Sequence, residues 1–210
     1  MSDEYNETPW TERQWEAFFR ESELRSARFG ELFETLRDHP DRDELIDREM
    51  GWDRDDEEPE FESPPDEELE SEEEDEEELE REKSDPSDLP AYAASFAWGR
   101  SVLKLLKNVG DLETDLDETV SRAIEGCLSV AAKIAAGSAM GEEDQSLCGN
   151  IVCCKRAAAF AEQGIEALEE LAQRGCFPRE ALQPLVAEGQ RVRLLVEERI
   201  GELRSRVWWE

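Results

Sequence analysis

Apolar positions along this chain recur at helical spacing in two separate stretches, with an almost purely polar stretch between them. In the first, Trp15, Phe18 and Phe19, then Phe29, Leu32, Phe33 and Leu36, fall three and four residues apart, which predicts an amphipathic helix interrupted by the charged run Arg20–Arg28. Thr11 followed three residues later by Gln14 predicts a capping box at its start. His39-Pro40 ends it, because the residue before a proline is pushed out of the helical region. Asp41 to Met50 suits a short second helix carrying Leu45 and Ile46, stopped by Gly51.

After Leu89 the helical pattern returns in four segments. The first, about Pro90 to Asn108, places Tyr92, Phe96, Val102, Leu103 and Leu106 on its core side and stops at Val109-Gly110. The second, from about Leu116 to Gly137, carries Val120, Ile124, Leu128, Ala131, Ile134 and Ala135. Gly141 and the acids Glu142, Glu143 and Asp144 mark a break and a new helix start, where acids suit the dipole. The third runs to Arg174 with Gly175 as its stop, and the fourth opens near Pro178, with Pro184 expected to delay its regular part. No β-rich run competes. The expectation is an all-α fold: an antiparallel up-down four-helix bundle over 89–210, a helical segment over 1–51, and a linker over 52–88.

Charge explains the linker. Residues 1–90 hold 37 Asp/Glu against 10 Lys/Arg, while residues 91–210 hold 19 against 14, out of a net charge of −32 for 210 residues. Of the 37 residues 52–88, 22 are acidic, and Ser71–Glu80 has eight acids and no base. Such a block repels itself and has little apolar surface to bury, so it is expected to be disordered and extended. Affinity for phosphate comes from Lys and Arg, so direct nucleic-acid binding by the front half is disfavoured. No apolar run reaches the 18 or so residues of a membrane span, and the acidic Met1-Ser2-Asp3-Glu4 does not resemble a secretory signal. A cytoplasmic protein is expected, with no membrane partner.

Little in the sequence supports catalysis. The one histidine, His39, reads as a helix-end residue, and the back half has none with which to build a di-iron or histidine-dependent nuclease site. Cys127, Cys148, Cys153, Cys154 and Cys176 form no CxxC pair, and the adjacent Cys153 and Cys154 point about 100° apart on a helix. They read as small buried hydrophobes of a reducing compartment, with a redox role as the alternative. No enzyme activity, catalytic residue, cofactor or metal is expected.

The aromatic stripe has two readings: packing on its own bundle, or recognition of a protein partner by a helix on a flexible arm. Buried aromatics dominate interface energies, so the recognition reading assigns partner binding to Trp15, Phe18, Phe29 and Phe33, with Arg25 and Arg28 flanking them.

The back half also resembles a known family. Ser129-Val130-Ala131-Ala132-Lys133-Ile134-Ala135-Ala136-Gly137 closes the second segment, and Lys155-Arg156-Ala157-Ala158-Ala159-Phe160-Ala161-Glu162 leads into a Leu-rich stretch ending at Arg174-Gly175. Through these, Thr119–Arg206 resembles the bacterial four-helix bundle family of 23S rRNA intervening-sequence proteins, which includes the accessory variability determinants of diversity-generating retroelements. Lys133 and Ala136 stand where that family has asparagine and glutamate, and alanines replace its Gly-Ser before the third-helix glutamate. The resemblance implies a non-enzymatic bundle that assembles as a homopentamer. The expected function is thus an oligomeric scaffold or adaptor presenting an acidic tether and an aromatic arm to a protein partner. The alternative is an accessory protein linked to RNA or a reverse transcriptase. Alanines at 131, 132, 135, 136 and 157–159 exceed what one thin bundle needs, which independently favours a second close-packed surface.

Overall fold

A computed structural model describes residues 8–52, 86–108, 118–175 and 177–209. Among them there is no strand: the fold is all-α. The helices are α1 (Glu12–Thr35), α2 (Arg42–Met50), α3 (Pro90–Asn108), α4 (Glu118–Ala139), α5 (Asp144–Arg174) and α6 (Arg179–Arg204), with one 3-10 turn at Pro86–Asp88. The expected linker falls almost wholly on residues 53–85, outside the described residues.

The described residues group into two units. Residues 8–15 belong with 86–209, and residues 16–52 form the second unit, so the expected single segment 1–51 divides near the start of α1.

In the first unit each of four helices packs on two others: α3 on α4 and α6, and α5 on α4 and α6. The buried positions Val120, Ala123, Cys127, Val130 and Ile134 of α4 alternate three- and four-residue steps, as do Leu182, Leu185, Val192, Val196 and Leu203 of α6 when Gly189 and Arg199 are counted in the series. That spacing keeps one stripe of each helix on a shared seam. Glycine sets the closest approach. A Cβ at Gly126 would lie 2.6 Å from the Gly164 nitrogen, so α4 and α5 touch backbone to backbone there.

On α3 the core stripe runs through Ala91, Ser95, Trp98, Val102 and Leu106, all buried. Trp98 is fully enclosed and donates its indole N–H to the Leu185 carbonyl at 2.8 Å. Phe96, expected in the core, is instead 51% exposed, and on α4 so is Leu128, at 43%. The physical reason is the larger indole: burying Trp98 with its hydrogen bond satisfied turns the helix so that Phe96, two residues away, faces outward.

Helix ends follow their local chemistry. The Thr11 N–H donates to Gln14 Oε1 at 3.0 Å, the Gln14 N–H donates to Thr11 Oγ1 at 3.4 Å, and Trp10 packs edge-on against Trp15 with ring centres 5.1 Å apart. This is a capping box with its hydrophobic staple. Gly51 (φ 72°) and Gly175 (φ 71°) end α2 and α5 in the left-handed conformation. Pro184 does not delay α6, which is regular from Arg179. As the sixth residue of α6 it lies in the second turn and removes a single backbone bond, that of residue 184 to the Glu180 carbonyl.

Candidate interaction surfaces

In the first unit, residues 8–15 form a strap over α5 and α6. Glu12 receives Lys155 Nζ at 2.7 Å and both Arg204 Nε and Nη2, at 2.7 and 2.9 Å. The Arg204 hydrogen bonds, with Lys155 assisting and burial opposing, hold the Glu12 carboxyl below its ordinary range. Trp15 lies over Gly149: a Cβ there would meet the indole at 3.0 Å and the Met140 methyl at 2.3 Å. The link between α4 and α5 holds a second carboxylate, Glu142, which pairs with Arg199 and Arg206. Burial raises its pKa, but the two guanidinium groups outweigh that, and the net direction is downward. Trp208 adds an indole N–H donated to Asp144 at 3.1 Å.

In the second unit, α1 buries no residue, and Phe18, Phe29 and Phe33 are all exposed. Phe29 packs against both Phe33 and Trp52, its ring tilted 35° to each and its centre 6.0 and 5.8 Å from theirs. The Arg25 guanidinium lies 5.6 Å over the Trp52 ring, and that of Arg42 lies 4.7 Å over Phe33. Arg28 pairs with Glu49 at 3.6 Å.

Of the residues expected to bind a partner, Phe29, Phe33 and Arg25 therefore meet in one cluster, and Arg28 lies nearby on the same helix. Phe18 is exposed beside Phe19 at 5.8 Å. Trp15 belongs to the first unit, half-buried beside Gly149. Its position follows from its being the fourth residue of α1, inside the staple with Trp10. Trp52 and Arg42 complete the cluster and were missed in the sequence. The signal for them was the glycine stop at residue 51, which turns Trp52 back: its N–H donates to the Asp47 carbonyl at 2.8 Å.

A third surface lies between α3 and α4. Tyr92, Phe96, Leu128, Ala131, Ala132 and Ala135 line an apolar groove of about 260 Å³.

Among the described residues, no group of His, Cys, Asp and Glu is arranged to hold a metal ion, and no helix is long and apolar enough to cross a membrane. Cys127, Cys148, Cys153 and Cys154 are buried. Burial pushes Cys127 up to about 12 and, against a small opposing pull from Arg199, Cys154 up to about 11. At such values the reactive thiolate is scarce at neutral pH. No family model, curated protein or solved structure matches this chain.

Proposed function

We propose that this chain is a non-enzymatic, cytoplasmic scaffold or adaptor, with a homo-oligomeric bundle carrying an aromatic arm that engages a protein partner. In this reading residues 89–210 form an antiparallel up-down four-helix bundle. The link 140–143 between α4 and α5 and the link 175–178 between α5 and α6 have four residues each, reaching at most about 14 Å. A helix of 22 residues such as α4 is about 33 Å long. So short a link cannot return along it, which supports the reversal of α5 against α4 and of α6 against α5. The resemblance to the 23S rRNA intervening-sequence family supports the same architecture and a closed homo-oligomer, of five subunits or a lower symmetric number.

The observation that carries the adaptor reading is α1 itself. It is a 24-residue helix with three exposed phenylalanines and no buried residue. Solvent-exposed aromatics grouped on one helix mark contact surfaces. The acidic stretch tethers this arm to the bundle. Light scattering of the full chain across micromolar concentrations tests the assembly, and a monomer mass throughout overturns it. Replacing Phe18, Phe29 and Phe33 with alanine tests the arm. Co-purifying partners are expected to be lost while the mass is retained, and an unchanged partner set overturns the assignment.

A second reading, an accessory protein bound to RNA, is favoured by the exposed Arg100, Lys104 and Lys107 along α3. Salt-sensitive RNA retardation abolished by reversing these three charges would select it over the protein-directed reading.

A further inference from the structure

The exposed face shared by α3 and α4 is divided lengthwise. One half consists of Ala93, Phe96 and Ala97 from α3 with Leu128, Ala132 and Ala136 from α4, and it carries no charge. In a chain whose residues are 38% charged, that exclusion is the mark of an interface core. The other half is segregated by sign. Arg100, Lys104 and Lys107 are exposed on α3, and Glu118 and Glu125 on α4. Among the described residues none of these five makes an ion pair.

The register between the helices is pinned at Gly99, whose Cβ, if present, would lie 3.1 Å from the Leu128 side chain and 3.2 Å from the Cys127 carbonyl oxygen. With α3 and α4 antiparallel, as in the bundle proposed above, Phe96 then stands level with Ala132, Arg100 with Glu125, and Lys107 with Glu118. We infer that this face pairs two copies of the chain about a two-fold axis parallel to the helices, with α3 of each copy lying on α4 of the other. The inference rests on the homo-oligomeric reading above and, because its contact is two-fold, takes an even subunit number in place of five.

That axis is selected by charge. It sets each Phe96 ring against Leu128 and Ala132 of the second copy, where the alanines leave room for a large side chain. It also brings Arg100 opposite Glu125 and Lys107 opposite Glu118, twice over. A two-fold running across the helices would instead press the charged half of each copy onto the apolar half of the other, stranding five charges. A contact related by a two-fold is self-complementary, and the first arrangement meets that condition along both halves of the face at once. Each chain carries a net charge of −32, so mutual repulsion is reduced where the apposed surfaces are neutral or of opposite sign.

The test is the mass of the full chain by light scattering and sedimentation, with three variants. Ala132→Arg, at an exposed helix position, is expected to weaken self-association at least tenfold while leaving helix content and melting of the dissociated chain intact. Arg100→Glu and Glu125→Arg are each expected to weaken it several-fold, and the double exchange to restore most of the loss, which no purely structural role would do. A wild-type chain that is monomeric throughout overturns the homo-oligomeric reading and this inference with it. A wild-type oligomer whose mass and affinity are unchanged by Ala132→Arg, or an exchange that fails to rescue, overturns this face alone.

Discussion

Glu12 and Arg204 stand 192 positions apart in the chain and are joined by two hydrogen bonds, of 2.7 and 2.9 Å. The carboxylate is only 13% exposed, so it depends on Arg204 and Lys155 in place of water. Its pKa lies below the ordinary 4.5. A carboxyl whose folded pKa is depressed stabilises fully above its unfolded pKa and loses that contribution as pH falls through the folded value. Glu12→Gln is expected to lower stability by about 1 kcal/mol at neutral pH, the two cations being half exposed and partly screened by water. The gap between wild type and variant should close as the pH drops below 4.5. Thermal melts of the pair at pH 7, 5 and 3.5 check this, and a gap that widens on acidification contradicts it.

Trp15 and Phe18 belong to different units, and their truncation is expected to differ in cost. Trp15→Ala empties the seat over Gly149 and is expected to cost about 2 kcal/mol or more, with a lowered melting temperature. Phe18, 47% exposed, has little to lose, and Phe18→Ala should change the melting temperature by no more than a degree or two. Circular dichroism melts of the two single variants decide the matter.

Gly189 is required by Trp98. A Cβ at residue 189 would lie 2.5 Å from the indole, so Gly189→Ala forces the ring or α6 to move, at a cost of about 1–3 kcal/mol. Trp98→Phe opens space at the same point and gives up the bond to the Leu185 carbonyl. Combined, the two are expected to cost less than the sum of the single losses, because the smaller ring leaves room for the methyl. Denaturant titrations of all four forms measure the coupling, and strict additivity would refute the contact.

Thiol labelling reads the same core. Cys127 and Cys154, raised to about 12 and about 11, are expected to resist alkylation at pH 8 in the native protein and to react fully in denaturant. Peptide mass spectrometry after timed iodoacetamide exposure locates the label, and rapid native labelling of Cys127 would contradict its enclosure.

The periodic signals in the sequence carried the helices well and the faces less well. Helix ends with explicit chemistry were legible: Thr11 with Gln14, the glycines at 51 and 175, and the acids before α5. What α3 buries was not. Phe96 and Trp98 are both aromatic and two residues apart, and periodicity gives each a claim on the core. Only the acceptor at Leu185 and the space over Gly164 and Gly189, contributed by α5 and α6, decide for the indole. The strap was similarly hidden. Glu12 looks like any first-turn acid until Lys155 and Arg204 are brought beside it by tertiary folding. Trp52 stood at the edge of the acidic stretch, where its charged surroundings concealed its part in the aromatic cluster with Phe29 and Arg25.

The strap also bears on the order of events during folding. Contacts of α4 with α5 and of α5 with α6 join neighbours along the chain, whereas Glu12 reaches Arg204 only by closing a loop that includes nearly the whole molecule. Closing so long a loop is entropically costly until the helices it rests on are in place, so the strap docks after the rate-limiting barrier. Interactions made late slow escape from the native state without hastening arrival. In a chevron plot, loss of Glu12 should therefore raise the unfolding limb and leave the refolding limb where it was, making these few residues a brake on opening.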